Sequence, residues 1–216
     1  MNKILFTLLS ISFFGLEVHS QESNQEKTSR FDDGTETLVN RKGGLGGFLE
    51  INTMPVYLNN QPGIMTGGGL SLVFGHSLNV GVAGYGLCTE IRTDNTDTLG
   101  DHLFLQTGYG GITLEPVLFS KKLVHVTFPV LLGAGGTSLT NHSLYDEETF
   151  DEDDWMNPEM YFIVRPGINM EINLLRILRL DLGVSYRFTS GYEMQNVPVS
   201  MLNGWSGNLS LKLGWF

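Results

Sequence analysis

The stretch from Arg179 to Phe188, RLDLGVSYRF, constrains the fold more than any other part of the sequence, because polar and apolar residues alternate along it without interruption. Its apolar positions are Leu180, Leu182, Val184, Tyr186 and Phe188. This period of two is expected for a β-strand that has one apolar face and one polar face. The stretch therefore predicts one wall of a sheet whose two faces meet different surroundings.

The same alternation recurs from residue 43 to the end of the chain, between segments rich in turn-forming residues. It predicts eight strands, at 44–58, 65–74, 79–91, 102–119, 123–139, 159–173, 179–189 and 204–216. Glycine contributes 27 of the 216 residues, which is typical of closed sheets, where backbones bend and approach closely. Glycine interrupts both faces of the third strand, so the sequence leaves its register open.

The predicted connections alternate in length. They are short after the second, fourth and sixth strands, and longer after the first, third, fifth and seventh. Up-and-down barrels of outer membranes have short turns at one rim and long loops at the other. Alternation alone does not decide which face points inward, so a soluble lipocalin-like barrel around an apolar ligand stays an alternative.

The N-terminus predicts export. Lys3 precedes a short apolar run over 4–16, and Val18-His19-Ser20 supplies small or modest side chains before a cleavage site. We expect a signal peptide at 1–20, a flexible periplasmic tail at 21–42, and a barrel domain at 43–216. The net charge of −10 argues against a nucleic-acid partner, because phosphate binding needs a clustered basic face. The single cysteine, Cys88, excludes an internal disulfide.

The polar faces of the strands carry few charges, and these are balanced in sign. They are Glu50, Glu115, Glu171 and Asp181 against Arg165, Arg179, Arg187 and Lys212. Four against four suits a closed interior in which buried charges are paired. Since eight strands leave a lumen that side chains can fill, the pattern predicts a salt-bridged plug, with a narrow conductive path as the alternative.

The last strand carries Leu209, Leu211, Leu213 and Trp215 in alternation, with Phe216 as the final residue. With the strand pattern over 43–216, this resembles the small eight-stranded outer-membrane barrels, the OmpA/OmpX-like, porin-family group, and especially those of Bacteroidetes-type bacteria. The resemblance implies an all-β fold, an eight-stranded antiparallel up-and-down transmembrane β-barrel behind a signal peptide, in the outer membrane of a Gram-negative bacterium. It also implies that the five residues form a signal for the barrel-assembly machinery. The alternation ends on Trp215, one residue before the chain end.

The segment 139–158 contains a dense group of carboxylates that suits a hard cation such as Ca²⁺. These candidates are Asp146, Glu147, Glu148, Asp151, Glu152, Asp153 and Asp154. Their spacing lacks the pattern of an EF-hand loop, so the alternative is a solvated, self-repelling surface loop. We expect no bound metal and no cofactor.

Catalysis on lipids would need a nucleophile beside a base. The histidines of the mature chain are His76, His102, His125 and His142. His76 lies in a predicted tight turn beside Ser77. His142 is followed by Ser143, but neighbours on a strand point to opposite faces, so no catalytic set is visible and no enzyme is expected. Aromatic residues near strand ends are typical of interfacial girdles.

These observations predict a structural or surface-interaction role, in adhesion or envelope integrity. The alternatives are a narrow pore or transporter for small solutes and a soluble carrier of an apolar ligand. The expected partners are outer-membrane lipid, the barrel-assembly machinery and an extracellular ligand bound through the loops. We expect the protein to be a monomer.

Overall fold

The computed structural model describes residues 44–96, 102–140, 159–191 and 199–216. The predicted signal peptide 1–20 and tail 21–42 lie outside these residues. The part of the chain that is described contains no helix both long enough and apolar enough to cross a membrane.

Ten strands and one 3₁₀ turn make up the described residues. The strands are β1 (Leu45–Leu58), β2 (Gln61–Phe74), β3 (Leu78–Leu87), β4 (Ile91–Thr96), β5 (His102–Leu118), β6 (Val124–Thr127), β7 (Val130–Thr140), β8 (Glu159–Asn173), β9 (Leu178–Gly191) and β10 (Gly204–Trp215). The 3₁₀ turn, Val199–Leu202, precedes β10.

All pairings are antiparallel, and the sheet closes on itself because β1 pairs with both β2 and β10. Two walls of the barrel are each divided into two strands. β3 and β4 both pair with β5, and β6 and β7 both lie between β5 and β8. Counting each divided pair once gives eight walls. This confirms the predicted eight-stranded antiparallel up-and-down barrel.

The interruption between β6 and β7 falls at Phe128-Pro129, since proline has no N–H for the ladder. The neighbouring strands still bond to it, because Phe128 N donates to Pro116 O at 3.0 Å and Gly167 N donates to Pro129 O at 2.8 Å. At the other interruption, the Thr89 hydroxyl accepts from Ile64 N at 3.0 Å. Both walls therefore stay closed where the regular strand pattern stops.

The connection after β1 differs from the prediction. We expected a loop over 59–64, but a two-residue turn at Asn59 and Asn60 joins β1 to β2. Both residues have positive φ, 49° and 58°, as a type I′ hairpin requires. Pro62 suggests a turn in the sequence, but it lies within β2. Proline has no N–H to donate to a neighbouring strand. This has no cost here, because the hydrogen-bonded pairing of β2 with β3 begins only at Met65.

The third wall is also longer than expected, because β4 occupies part of the predicted polar loop 92–101. Its register is now defined by the pairing of Tyr85 with Tyr109. Asn79, Tyr85 and Leu87 are buried, whereas Val82 is 56% exposed. The odd-numbered residues of β3 therefore face the interior.

We call the end of the barrel with the connections 75–77, 119–123 and 174–177 the turn end, and the opposite end the loop end. The outer surface between them is apolar and includes Leu49, Ile51, Leu70, Leu72, Val82, Ile112, Leu132, Val164, Ile168, Leu182, Val184, Leu209, Leu211 and Leu213 among its exposed side chains. The lumen carries the buried charges. This arrangement is the reverse of a soluble barrel, so the lipocalin-like alternative does not fit.

Candidate functional site: the charged lumen

The eight charged residues that the sequence assigned to the lumen all lie on the inner side of their strands. On β9, Arg179, Asp181 and Arg187 are buried while Leu182, Val184 and Phe188 are exposed. Glu115, Arg165, Glu171 and Lys212 are likewise buried, and Glu50 is partly buried. Apart from Glu50, these residues fall into two groups, one at the turn end and one toward the loop end.

Lys212 is the centre of the first group and is fully buried. Its Nζ lies 2.7 Å from Glu115 Oε1, 2.6 Å from Glu171 Oε2 and 3.0 Å from Asp181 Oδ2. An ammonium has three N–H donors, and here each one has a carboxylate acceptor on a different strand. Lys212 thus ties β5, β8 and β9 to β10 across the lumen.

The other oxygen of Glu171 is equally engaged. Glu171 Oε1 accepts from Arg179 Nη1 at 2.7 Å and lies 2.7 Å from His125 Nε2. Arg179 Nη1 is 3.4 Å from the same histidine nitrogen. We call Glu115, His125, Glu171, Arg179, Asp181 and Lys212 the turn-end cluster.

Two phenylalanines lie beside this cluster toward the turn end. The Phe48 and Phe216 rings are stacked with their centroids 5.4 Å apart. The Arg179 guanidinium carbon is 3.6 Å from the centre of the Phe216 ring, and Lys212 Nζ is 5.3 Å from that of Phe48. Both contacts are in the range of a cation–π interaction. The rings cover the cluster with apolar surface and strengthen its electrostatics by excluding water.

Amide and hydroxyl side chains extend the cluster toward the middle of the lumen. Asn169 Nδ2 donates to Asp181 Oδ2 at 3.1 Å, Asn208 Nδ2 donates to Asn169 Oδ1 at 3.1 Å, and the Ser185 hydroxyl donates to Asn208 at 3.1 Å. Asn79 Nδ2 donates to Glu115 at 3.0 Å. These residues occupy inward positions in the period-two pattern, so that pattern could have identified them.

Arg165 and Arg187 lie in a different environment, in the half of the lumen between the middle of the barrel and the loop end, which we call the loop-end half. Arg165 donates to the Met54 sulfur and, at 3.3 Å, to the Tyr109 hydroxyl, and its guanidinium carbon is 4.2 Å from the centre of the Tyr85 ring. Arg187 donates to Leu202 O at 3.1 Å, to Tyr57 O at 3.2 Å and to the Ser206 hydroxyl. Within the described residues, neither arginine forms an ion pair with a carboxylate.

Among the described residues, the ion pairs therefore join only part of the predicted network of eight charges. Glu50 accepts from Asn52 Nδ2 at 3.3 Å, and the described residues show no ion pair joining it to either loop-end arginine. The reason is axial position. Arg187 lies near the loop end of β9 and Arg165 near the middle of β8, whereas the carboxylates of the cluster lie near the turn ends of β5, β8 and β9.

The rest of the loop-end interior is mainly apolar, with the buried threonines Thr93, Thr107 and Thr137 among its polar residues. Its buried core consists of Met54, Val56, Leu58, Met65, Tyr85, Leu87, Ile91, Leu105, Tyr109, Leu131, Tyr161, Ile163 and Leu202. Glycines make room for the rings: a Cβ on Gly67 would lie 2.6 Å from the Tyr85 ring, and one on Gly135 would lie 2.5 Å from that of Tyr161. A cavity of about 10 Å³ beside Arg187 and Leu202 has room for roughly one water molecule.

The proposed assembly residues face two ways. Leu209, Leu211, Leu213 and Trp215 are exposed on the outside, and Trp215 reaches 77% exposure. Phe216 instead contacts Phe48 and Arg179 in the lumen. Trp215 therefore continues the outward-facing side of the alternation, whereas Phe216 points into the lumen.

The remaining candidates are scattered. His76 occupies a turn with φ of 58°, His102 begins β5, and His125 belongs to the turn-end cluster. His142 and the seven carboxylates of 146–154 lie outside the described residues. Among those described, no group of His, Cys, Asp and Glu has a metal-binding arrangement. Tyr186, Phe188 and Trp205 form an outer aromatic group, with centroids 4.6 Å and 5.1 Å from Tyr186.

No protein-family model matches the sequence, and the comparison with curated proteins gives no match. Among solved structures, the chain is similar to the N-terminal β-barrel domain of Pseudomonas aeruginosa OprF, with 9% identity and a TM-score of 0.46 over 79% of this chain and 97% of that one. Neisserial surface protein A has 12% identity and a TM-score of 0.48, over 79% and 96%. Ail, the attachment invasion locus protein of Yersinia pestis, has 12% and 0.44, over 80% and 99%. Because these sequence identities and TM-scores are so low, we draw no conclusion about this protein from the similarities.

The class of protein therefore follows from the chain's own geometry. Lipid offers no hydrogen bonds to the backbone, so a spanning sheet must close without an edge. This sheet closes, its outer face is apolar, and its charges are buried in the lumen. Those are the properties of a transmembrane β-barrel of the outer-membrane type, and they place the chain in that membrane.

Proposed function

We propose that this protein has a structural or surface-interaction role in the outer membrane, without catalysis. The observation that supports it most is that the described lumen is filled at both ends. The turn-end cluster joins four walls under the Phe48 and Phe216 rings. At the loop end, Leu202 packs into the apolar core and Arg187 donates to its carbonyl. A filled barrel serves as a rigid support for the segments between its strands.

The finer assignments are part of this proposal. The segment 139–158, whose first two residues end β7, is the contact surface for an extracellular ligand. The assembly signal consists of Leu209, Leu211, Leu213, Trp215 and Phe216 and is read by the barrel-assembly machinery. The protein is a monomer. The resemblance to porin-family barrels of Bacteroidetes-type bacteria stays a prediction.

Conductance in planar bilayers tests the filled lumen. We expect no stepwise openings from the purified, folded protein. A variant that combines Arg187→Ala and Leu202→Ala at the loop end with Phe48→Ala and Lys212→Ala at the turn end removes side chains that fill both ends and controls for detection of leakage. Reproducible openings of the wild type that disappear on substituting Glu115 or Lys212 would instead support the alternative, a narrow pore for small solutes.

A deletion strain separates the structural role from the interaction role. We expect detergent sensitivity that the wild-type gene reverses. A gene in which 141–158 is replaced by a glycine-serine linker should reverse it equally if the barrel acts structurally, and should fail if this segment binds a partner. Full resistance of the deletion strain, with unchanged surface adhesion, would contradict both roles.

A further inference from the structure

The turn end of the barrel carries a basic and apolar surface that the lumen does not explain. It consists of the connections 119–123 and 174–177, and we call it the turn-end patch. Lys121, Lys122 and Arg176 are exposed. Beside them lie exposed apolar side chains, at 65% for Phe119, 68% for Leu123, 49% for Leu174, 62% for Leu175 and 48% for Ile177. Neither connection contains an acidic residue.

The two connections are held together as one surface. Asn173 N donates to Leu123 O at 3.0 Å, and the Asn173 side chain donates to Lys122 O at 3.0 Å. Within 119–123, Lys122 N donates to Phe119 O at 2.8 Å. Lys122 Nζ is 5.2 Å from the centre of the Phe119 ring. The cations and the apolar side chains are therefore placed side by side by backbone hydrogen bonds.

Phe119 is the least expected residue of this surface, because its φ is 61°. A bulky side chain in the left-handed region is a genuine outlier, and such conformations persist only where the surroundings impose them. Here the conformation directs an aromatic ring outward next to a lysine. Apolar side chains beside cations match the boundary between acyl chains and charged headgroups.

The charge of the turn-end patch is the reverse of that of the chain as a whole. The sequence carries a net charge of −10, and the segment 141–158 contains seven carboxylates and neither lysine nor arginine. The carboxylates near the turn end, Glu115, Glu171 and Asp181, are buried in the lumen and occupied by Lys212. The outward surface of the turn end is thus cationic in an otherwise acidic protein.

We propose that the turn-end patch binds phospholipids with a net negative headgroup, in the leaflet that this end of the barrel contacts. The apolar side chains insert at the level of the acyl chains, and Lys121, Lys122 and Arg176 bind the phosphate oxygens. Each cation near an anionic membrane surface strengthens binding by about fivefold. The inference rests on the proposed role in the outer membrane and adds a lipid preference to it.

Trp215 provides the test. It is exposed on the outer wall, and its neighbour Gly214 donates to Ile177 O at 2.9 Å, so it lies beside the patch. A full-length protein with Trp155→Phe and Trp205→Phe keeps Trp215 as its sole tryptophan. It is folded into two kinds of phosphatidylcholine vesicle. One contains brominated phosphatidylglycerol and the other contains the same fraction of brominated phosphatidylcholine. The quenching of Trp215 fluorescence is compared between the two.

We expect stronger quenching by brominated phosphatidylglycerol than by brominated phosphatidylcholine. Added salt should reduce this difference, because it screens the attraction between the cations and the headgroups. The variant Lys121→Glu, Lys122→Glu, Arg176→Glu should lower this preference by tenfold or more. Arg92→Glu, which reverses an exposed cation at the loop end, should leave it unchanged. Heat-modifiable migration on a gel verifies that each variant is folded.

Equal quenching by the two lipids, or a preference that survives the triple variant, would overturn the lipid proposal while leaving the barrel in the membrane. Absence of quenching by either lipid would overturn the membrane placement as well. The two failures are therefore distinguishable in the same experiment.

Discussion

The two halves of the lumen are built from the same alternating strands, yet their buried charges are stabilised by different interactions. The turn-end cluster neutralises its carboxylates with Lys212 and Arg179 through direct ion pairs. At the loop end, Arg165 and Arg187 are surrounded by aromatic faces, carbonyl oxygens and hydroxyls. Net neutrality of the lumen is thus reached over the whole barrel and not within each half.

This difference predicts how each half responds when a cation is removed. Removing one partner of a buried ion pair leaves a charge uncompensated, which is far more costly than leaving a neutral acceptor unpaired. The turn end should therefore be much more sensitive than the loop end, although residues of both halves are equally buried.

The largest effect is expected for Lys212→Met. Three carboxylates lose their common partner, so the free energy of unfolding should fall by about 3–5 kcal/mol. Urea unfolding of the protein in detergent, followed by heat-modifiable migration and intrinsic fluorescence, measures the change. Adding Glu115→Gln to this variant should recover part of the loss, because Glu115 loses its ion pair with Lys212 and the substitution removes that unpaired charge.

An exposed cation provides the control for this prediction. Arg92→Met should change the free energy of unfolding by less than about 0.5 kcal/mol, as surface substitutions usually do. A loss below about 1 kcal/mol for Lys212→Met would contradict the role assigned to the turn-end cluster.

A smaller loss, about 2 kcal/mol, is expected for Arg187→Met. Leu202 O and Tyr57 O would each lose a donor, but both are neutral, and methionine fills much of the apolar space. Arg187→Lys should recover only part of the loss, because one ammonium does not reproduce the spread of a guanidinium. If Arg187→Met costs as much as Lys212→Met, the contrast between the halves fails.

Arg165→Met should cost about 1 kcal/mol, mainly the cation–π contact with Tyr85 and the bond to Tyr109. The same unfolding titration measures it. The pair Arg165→Met and Glu50→Gln sharpens the comparison, because independent sites give additive losses. A non-additive result would reveal an ion pair between these two residues.

Much of this fold was predictable from the sequence because a period of two is a strong local signal. The walls at Glu159–Asn173 and Leu178–Gly191 match the predicted 159–173 and 179–189 closely. The turn at Asn59 and Asn60 was missed because Pro62 normally argues against a strand interior, whereas here it occupies a position that needs no donor.

The lumen was predictable in its membership but not in its connections. Alternation assigns Arg165 and Glu171 to the same face of one strand, yet it gives no axial distance to residues of other strands. Those distances depend on the stagger between strands, which closure of the barrel determines. That Phe216 turns inward beside Arg179 while Trp215 turns outward also depends on where the last strand ends.

The smallest effect is expected for Tyr161→Phe at the loop end. The hydroxyl lies 2.9 Å from Thr107 Oγ1 and 3.3 Å from Gly108 O, and its loss should lower the free energy of unfolding by about 0.5 kcal/mol. Tyr57→Phe, which alters an exposed tyrosine, should have no measurable effect in the same titration. A loss as large as that of Lys212→Met would show that a neutral hydrogen bond at the loop end is as critical as the ion pairs at the turn end. The charge argument predicts that the loop end tolerates the loss of one hydroxyl. Such a large loss would therefore mean that buried charge does not explain the difference in stability between the two halves, and that packing would have to.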